Sequence, residues 1–154
     1  MKERAVIVAN RPKWVKEIVE GRKLYEIRKS CPDIWEAPLT VYIYCTKSGK
    51  DPEGAEGYQP PAGRVIGEFT LRDADVITPL PEGVRIGGAR DKTGAALADA
   101  CLSAKEVADY LGESGGYAWK IENLKVYEKP LLLGTFGVKR APQSWQYAEK
   151  RDEN

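Results

Sequence analysis

"EGRKLYEIRKS", residues 20–30, is the stretch on which the reading of this chain turns. Glu20 and Gly21 end an amphipathic segment, and five of the next eight residues (Arg22, Lys23, Glu26, Arg28 and Lys29) are charged. Leu24, Tyr25 and Ile27 are interleaved among them. Alternation predicts a strand over 24–29, with Tyr25 and Ile27 on one face and Leu24, Glu26 and Arg28 on the other. A carboxylate set among four cations has two readings. One is a solvated edge with ion pairs worth about 0–1 kcal/mol. The other is a site for an anionic or polar ligand.

Upstream, "RAVIVA" (4–9) is a β-branched run that predicts a buried strand. Pro12 suits the first turn of a helix over 12–20, where its missing N–H is no loss. Trp14, Val15, Ile18 and Val19 recur on one face of that helix, leaving Lys13, Lys16, Glu17 and Glu20 outside. Gly21 is its stop. Downstream, "TVYIYCT" (40–46) and "RVIGEFTL" (64–71) read as strands, with a bulge at Gly67 and a Gly- and Pro-rich loop over 47–63 between them. Residues 73–100 are broken by Pro79, Pro81 and several glycines, with a helix over 94–100. "LSAKEVADYLG" (102–112) has the capping-box spacing of Ser103 and Glu106. "YAWKIENLKVYE" (117–128) alternates around a turn at Glu122–Asn123.

The strands 24–29, 40–46, 64–71 and 117–127 are expected in one curved sheet covered by helix 12–20. Short strands in several registers, without βα alternation, predict an α+β fold: a small mixed β-barrel with flanking helices. A single domain is expected over 1–154, with the charged tail fraying after Tyr147.

The composition, 42% hydrophobic and 31% charged over 154 residues, is that of a globular chain. No apolar run approaches the roughly 20 residues that span a bilayer, so no membrane partner is expected. The start, "MKERAVIVANRPK", has too short an apolar stretch for a signal peptide, which predicts a cytoplasmic address. Cys31, Cys45 and Cys101 form no CxxC pair, so neither a disulfide framework nor a zinc ribbon is supported. The chain has no histidine, which excludes Ser-His and Cys-His nucleophiles and every His-ligated metal. No cofactor and no metal are expected. Net charge is only +1, yet residues 1–30 carry nine Lys or Arg against four Glu. A basic segment on a near-neutral domain is a weak nucleic-acid footprint.

Several of these segments together resemble a known family. "RAVIVA", the helix entered at "RPKW", the Gly-x-Lys-x-x-Glu-x-Arg sequence of Gly21, Lys23, Glu26 and Arg28, and "GRVIGEF" look like the ASCH domain of the PUA-like superfamily. "LSAKEVADYLGESGGYAWKIENLKVYEKP" is similar to its helix and closing strands. The ending "KRAPQSWQY" resembles a branch common in phage, prophage and Firmicutes-type genomes. The resemblance spans about 4–147 and implies a PUA-like barrel that recognises RNA or modified nucleotides. Some members are enzymes: one branch hydrolyses the amide of N4-acetylcytidine, and another is described as a ribonuclease. In the amidohydrolase branch the motif lysine acts with a threonine three residues on and a later glutamate. Lys23 matches the lysine, Glu26 stands at the threonine position, and Asp99 is the nearest candidate for the later acid.

The resemblance and the residues together name a site. Lys23, Glu26 and Arg28 are expected to converge, with Glu26 orienting the cations and Arg28 offering its fork to phosphate or a base edge. Arg11, in the turn after Asn10, is placed to meet phosphate near a helix start. Trp35 is read either as a stacking platform for a base or as a cap on the barrel. Lys139, Arg140, Gln143, Ser144 and Trp145 form a polar and aromatic cluster that either completes the cleft or docks the last strand. Tyr42 and Tyr44 share one strand face, lining core or cleft. A lowered thiol pKa is considered for Cys31 among its cations. Two functions stay open. One is a monomeric reader of RNA, a nucleotide or a nucleoside; the other is a hydrolase or ribonuclease using Lys23, its pKa depressed by Arg22 and Arg28, and Glu26.

Overall fold

The structure, a computed structural model, describes residues 3–47 and 56–152. Part of the expected 47–63 loop, residues 48–55, lies outside them. β1 (Arg4–Asn10) leads into α1 (Pro12–Val19), β2 (Tyr25–Arg28), β3 (Leu39–Cys45) and β4 (Arg64–Leu71). β5 (Ala74–Leu80), β6 (Gly83–Ile86), α2 (Thr93–Ala100), α3 (Ala104–Leu111), β7 (Gly116–Lys120), β8 (Glu122–Leu131) and β9 (Trp145–Glu149) follow. The class is α+β, as the sequence predicts.

The strands form two sheets, ordered β8-β4-β3-β1-β9 and β2-β7-β5-β6. This corrects the expectation of one curved sheet: β2 and β7 belong to one sheet, β3 and β4 to the other, and the sheets do not close into a barrel. The expected strand over 117–127 is split between them. β7 ends at Lys120 and β8 begins at Glu122, and Asn123 takes a positive φ of 50°. Ile121 at this corner donates its N–H to Leu24 O, 2.9 Å away. The missed hairpin β5–β6 carries Pro79 opposite Val84 and exposes Val76 and Leu80, so it lacks the apolar alternation of a buried strand.

The sheets share a core. Val6, Val8, Val41 and Ile43 of the first pack with Trp119 of the second and with Val15 and Ile18 of α1. Burying each such aliphatic side chain is worth about 1.5–3 kcal/mol. Ile27 faces a separate cluster with Ile77, Ile86, Val107 and Leu111. Alternation therefore turns Glu26 and Arg28 the other way, toward the end of β1.

α1 ends as predicted, with Gly21 at φ +81°, a left-handed conformation that glycine adopts without strain. The N–H groups of Arg22 and Lys23 both reach Glu17 O at 3.0 Å, which folds the chain back beneath the helix. Lys16 is not outside, as its position in the helix pattern suggested. It is buried, donating to the carbonyls of Glu56 and Tyr58 and lying 3.3 Å from Glu20. The Ser103–Glu106 capping box forms as expected. Tyr147, where fraying was expected to begin, lies within β9, which pairs antiparallel with β1. Arg151 N–H then donates to Tyr42 Oη at 2.9 Å.

Candidate functional site

Where β9 gives out at Trp145, β1 continues through Ala9 and Asn10, and β2 crosses nearby. The register pairs Val8 with Trp145, and the next N–H, that of Ala9, bonds Ser144 O at 2.8 Å. Ala9 O is taken by a side chain: Arg28 Nη2 donates to it at 2.7 Å. The same nitrogen donates to Asn10 Oδ1 at 3.1 Å and to Glu26 Oε2 at 2.9 Å. Arg28 Nε donates to Glu26 Oε2 at 3.1 Å, and Nη1 to Ser144 Oγ at 3.2 Å. One guanidinium thus ties the two sheets together where no backbone ladder joins them.

These groups are buried. Glu26 is 2%, Lys23 4%, Asn10 5% and Arg28 8% exposed. A solvated strand edge is therefore not what the alternation encodes. Glu26 Oε1 and Asn10 Nδ2 are buried without a hydrogen-bond partner. Arg28 sets both orientations: it takes Oε2 and Oδ1, so the free acceptor and the free donor are left beside the same nitrogen. Turning the Asn10 amide over would set Nδ2 against the guanidinium, donor against donor.

Lys23 stands slightly apart. Its Nζ donates to Ala100 O at 2.7 Å and lies 4.8 Å from the Trp14 ring centre. Burial pushes its pKa down; the Glu26 carboxylate opposes this, and Arg28 adds a smaller downward push. Arg22 is not the cause, because it turns outward to Glu17 and Glu20 at 2.8 and 2.9 Å. Trp14, expected in the core, is half-buried, its ring also 4.8 Å from Lys13 Nζ.

Of the other expected residues, Arg11 is exposed at the start of α1. Trp35 is 96% exposed in the 3-10 turn Ile34–Glu36, so it does not cap a core. Arg140 is exposed between the 3-10 turn Leu133–Phe136 and β9. Asp99 meets the motif through its carbonyl, which accepts from Leu24 N–H at 2.6 Å. Glu106 is a later carboxylate spent on the α3 cap: its hydrogen bonds with Ser103 lower its pKa, and Lys23 adds only a minor part. The 139–145 cluster divides: Ser144 joins Arg28, while Trp145 Nε1 donates to Ser30 Oγ at 2.9 Å. Trp145 also packs edge-on against Trp119, 5.8 Å between centroids. Burial raises the Cys31 thiol to about 11, the reverse of the lowering considered from its sequence neighbours. Asn10 and Ser144 as partners of Arg28 were missed. For Asn10 a signal exists, since it shares the inward parity of Val6 and Val8.

The architecture has solved relatives. The crystal structure of ASCH from Zymomonas mobilis superposes with a TM-score of 0.64 at 20% identity, covering 95% of this chain and 88% of that one. This chain shares the fold of that structure. A serine-to-alanine variant of the Zymomonas protein gives a TM-score of 0.65 at 19% identity over 95% of this chain and 89% of that one. A tyrosine-to-phenylalanine variant gives 0.63 at 19% over 95% and 91%. No protein-family model and no curated protein matches the chain. In this chain the strands of that fold lie in two sheets. No helix of the described residues is long and apolar enough to cross a membrane.

Proposed function

We propose that this domain recognises RNA or a modified nucleotide, and that Asn10, Lys23, Glu26 and Arg28 form the recognition site. One observation carries the reading: a buried carboxylate oxygen and a buried amide N–H, both without partners, are held beside the same guanidinium. Leaving such groups unmet costs about 1–3 kcal/mol each, more where charge is involved. A ligand edge with one donor and one acceptor satisfies both at once, and the polar edge of a base carries such a pair. Arg11 and Arg140 supply cations for phosphate, and Trp35 a face for a neighbouring base. On this reading the protein is a cytoplasmic monomer of the phage and prophage branch that "KRAPQSWQY" resembles.

The hydrolase reading has one observation in its favour: burial depresses the Lys23 pKa, as general-base or nucleophilic lysines require. Against it, Lys23 Nζ is engaged by Ala100 O, and Glu26 stands where the amidohydrolase branch has threonine. A carboxylate does not replace a hydroxyl that donates or attacks.

Titration of a labelled single-stranded RNA at low salt tests the proposal. Asn10→Ala and Glu26→Gln should each weaken binding at least about ten-fold, the loss of one to two polar contacts. Wild-type affinity in both variants would remove these residues from the site. Incubation with N4-acetylcytidine, and separately with the labelled RNA, should give no turnover. Turnover that is lost in Lys23→Ala would replace the binding reading with the enzymatic one.

A further inference from the structure

The outer face of the five-stranded sheet carries a second concavity. Tyr42 and Tyr44 point away from the shared core into a layer with Ile7, Val65, Phe136 and Val138. Beside Tyr44 this layer opens into a cleft of about 610 Å³ whose charged lining residues are Lys47, Arg64 and Lys139; the Glu149 carboxylate lies at its rim, against Gly137. All three cations are exposed, and among the described residues none forms an ion pair; Arg64 Nη1 reaches only Gly63 O at 3.2 Å. Tyr44 is 4% exposed and lines the cleft, yet its hydroxyl has no hydrogen-bond partner among the described residues.

Three like charges around a concavity walled by Leu132 and Leu133 focus a positive potential. The arginine fork and the phenolic O–H add directed donors, the set that grips a phosphate. The cleft lies on the opposite face of the sheet from Asn10, and the two are linked along the chain. Thr46 N–H bonds Asn10 O at 2.9 Å, so Lys47 follows directly from the end of β1. On the other side, the segment from Lys139 leads to Ser144.

We infer that this cleft holds a phosphate of the single-stranded nucleic acid that the domain recognises. The identity of the strand rests on the proposed function; the anion site rests on its own cations and the Tyr44 hydroxyl.

The experiment compares wild type with the double variant Arg64→Glu/Lys139→Glu, both positions exposed, and with Tyr44→Phe. Two short single-stranded RNAs are titrated, one with a 5′-phosphate and one without. In the double variant affinity for both should fall at least about ten-fold at low salt, and the log–log salt slope should shrink by about 1.4, from ~0.7 per lost phosphate contact. Tyr44→Phe should weaken both by a smaller factor. A loss confined to the 5′-phosphorylated strand assigns the cleft to a terminal phosphate and sustains it as a phosphate site. Unchanged affinity and slope in the double variant, while Asn10→Ala still weakens binding, overturns the cleft and leaves the proposed function standing. If wild type binds neither strand, the proposed function fails, and inorganic pyrophosphate reads the cleft alone. Saturable amide shifts at Gly134, Gly137 and Lys139, absent from the double variant, sustain the anion site; their absence from wild type overturns it.

Discussion

The Arg28 guanidinium lies against the Glu26 carboxylate, Nη2 2.9 Å from Oε2, with the side chains only 10% and 2% exposed. Two residues apart on one strand, they form the buried ion pair at the junction of the two sheets. Breaking such a pair leaves a charge unpaired in a low-dielectric interior, which costs about 3–5 kcal/mol. Arg28→Ala should therefore lower the thermal midpoint by about 10 °C for a domain of this size. Arg28→Lys should fall between the two, since it keeps the charge and loses the fork. A midpoint for Arg28→Ala within a degree or two of wild type would contradict this burial.

Lys23 makes stability depend on pH with a defined sign. Its folded pKa lies below the ordinary 10.5 because of burial, so between those two values the unfolded chain binds more protons and stability rises with pH. The penalty is complete below the folded pKa and disappears above 10.5, the unfolded value. Relative to Lys23→Met, wild type should gain stability as pH rises through that window. Tyr25, Tyr42, Tyr58 and Tyr127, whose pKa values are raised chiefly by burial, act oppositely at the alkaline end in both proteins and cancel in the difference. Denaturant titrations at several pH values measure it. A difference independent of pH would mean that Lys23 is solvated.

Trp35 contributes almost nothing to the core, being 96% exposed. Trp35→Ala should leave the midpoint within about 1–2 °C, as surface substitutions do. If a base stacks on it, the same variant should lose about 1–3 kcal/mol of affinity for single-stranded RNA, and the tryptophan fluorescence change on binding should shrink. Undiminished affinity would leave Trp35 outside the interface.

Cys31 should be a sluggish thiol. With its pKa pushed up to about 11 by burial, it carries little thiolate at neutral pH, and the thiolate is the reacting species. In a Cys45→Ala/Cys101→Ala background, its labelling by a disulfide reagent at pH 7.5 should be at least about ten-fold slower than that of a cysteine peptide. Fast labelling would restore the electropositive microenvironment that its sequence neighbours suggested.

Much of this molecule follows from short windows of sequence. The helix entered at Pro12 and stopped at Gly21, the Ser103–Glu106 cap, the strands around 40–46 and 64–71, and the shared face of Glu26 and Arg28 are all set by local periodicity, capping chemistry and parity, which act within a few residues. What those windows leave open is which strand edges meet. The division into two sheets, the corner at Ile121, and the meeting of Arg28 with Ala9, Asn10 and Ser144 join residues 18 to 116 positions apart. The depth of the charged groups is likewise absent from the pattern. Lys16 reads as a surface residue, and Lys23, Glu26 and Arg28 as a solvated edge or an open ligand site, because an isolated charge avoids the interior; only the packed chain supplies the carbonyls and counter-charges that hold them there. Alternation therefore determined which way Glu26 points, and tertiary packing alone decided that it points into protein, one oxygen bonded to Arg28 and the other without a partner.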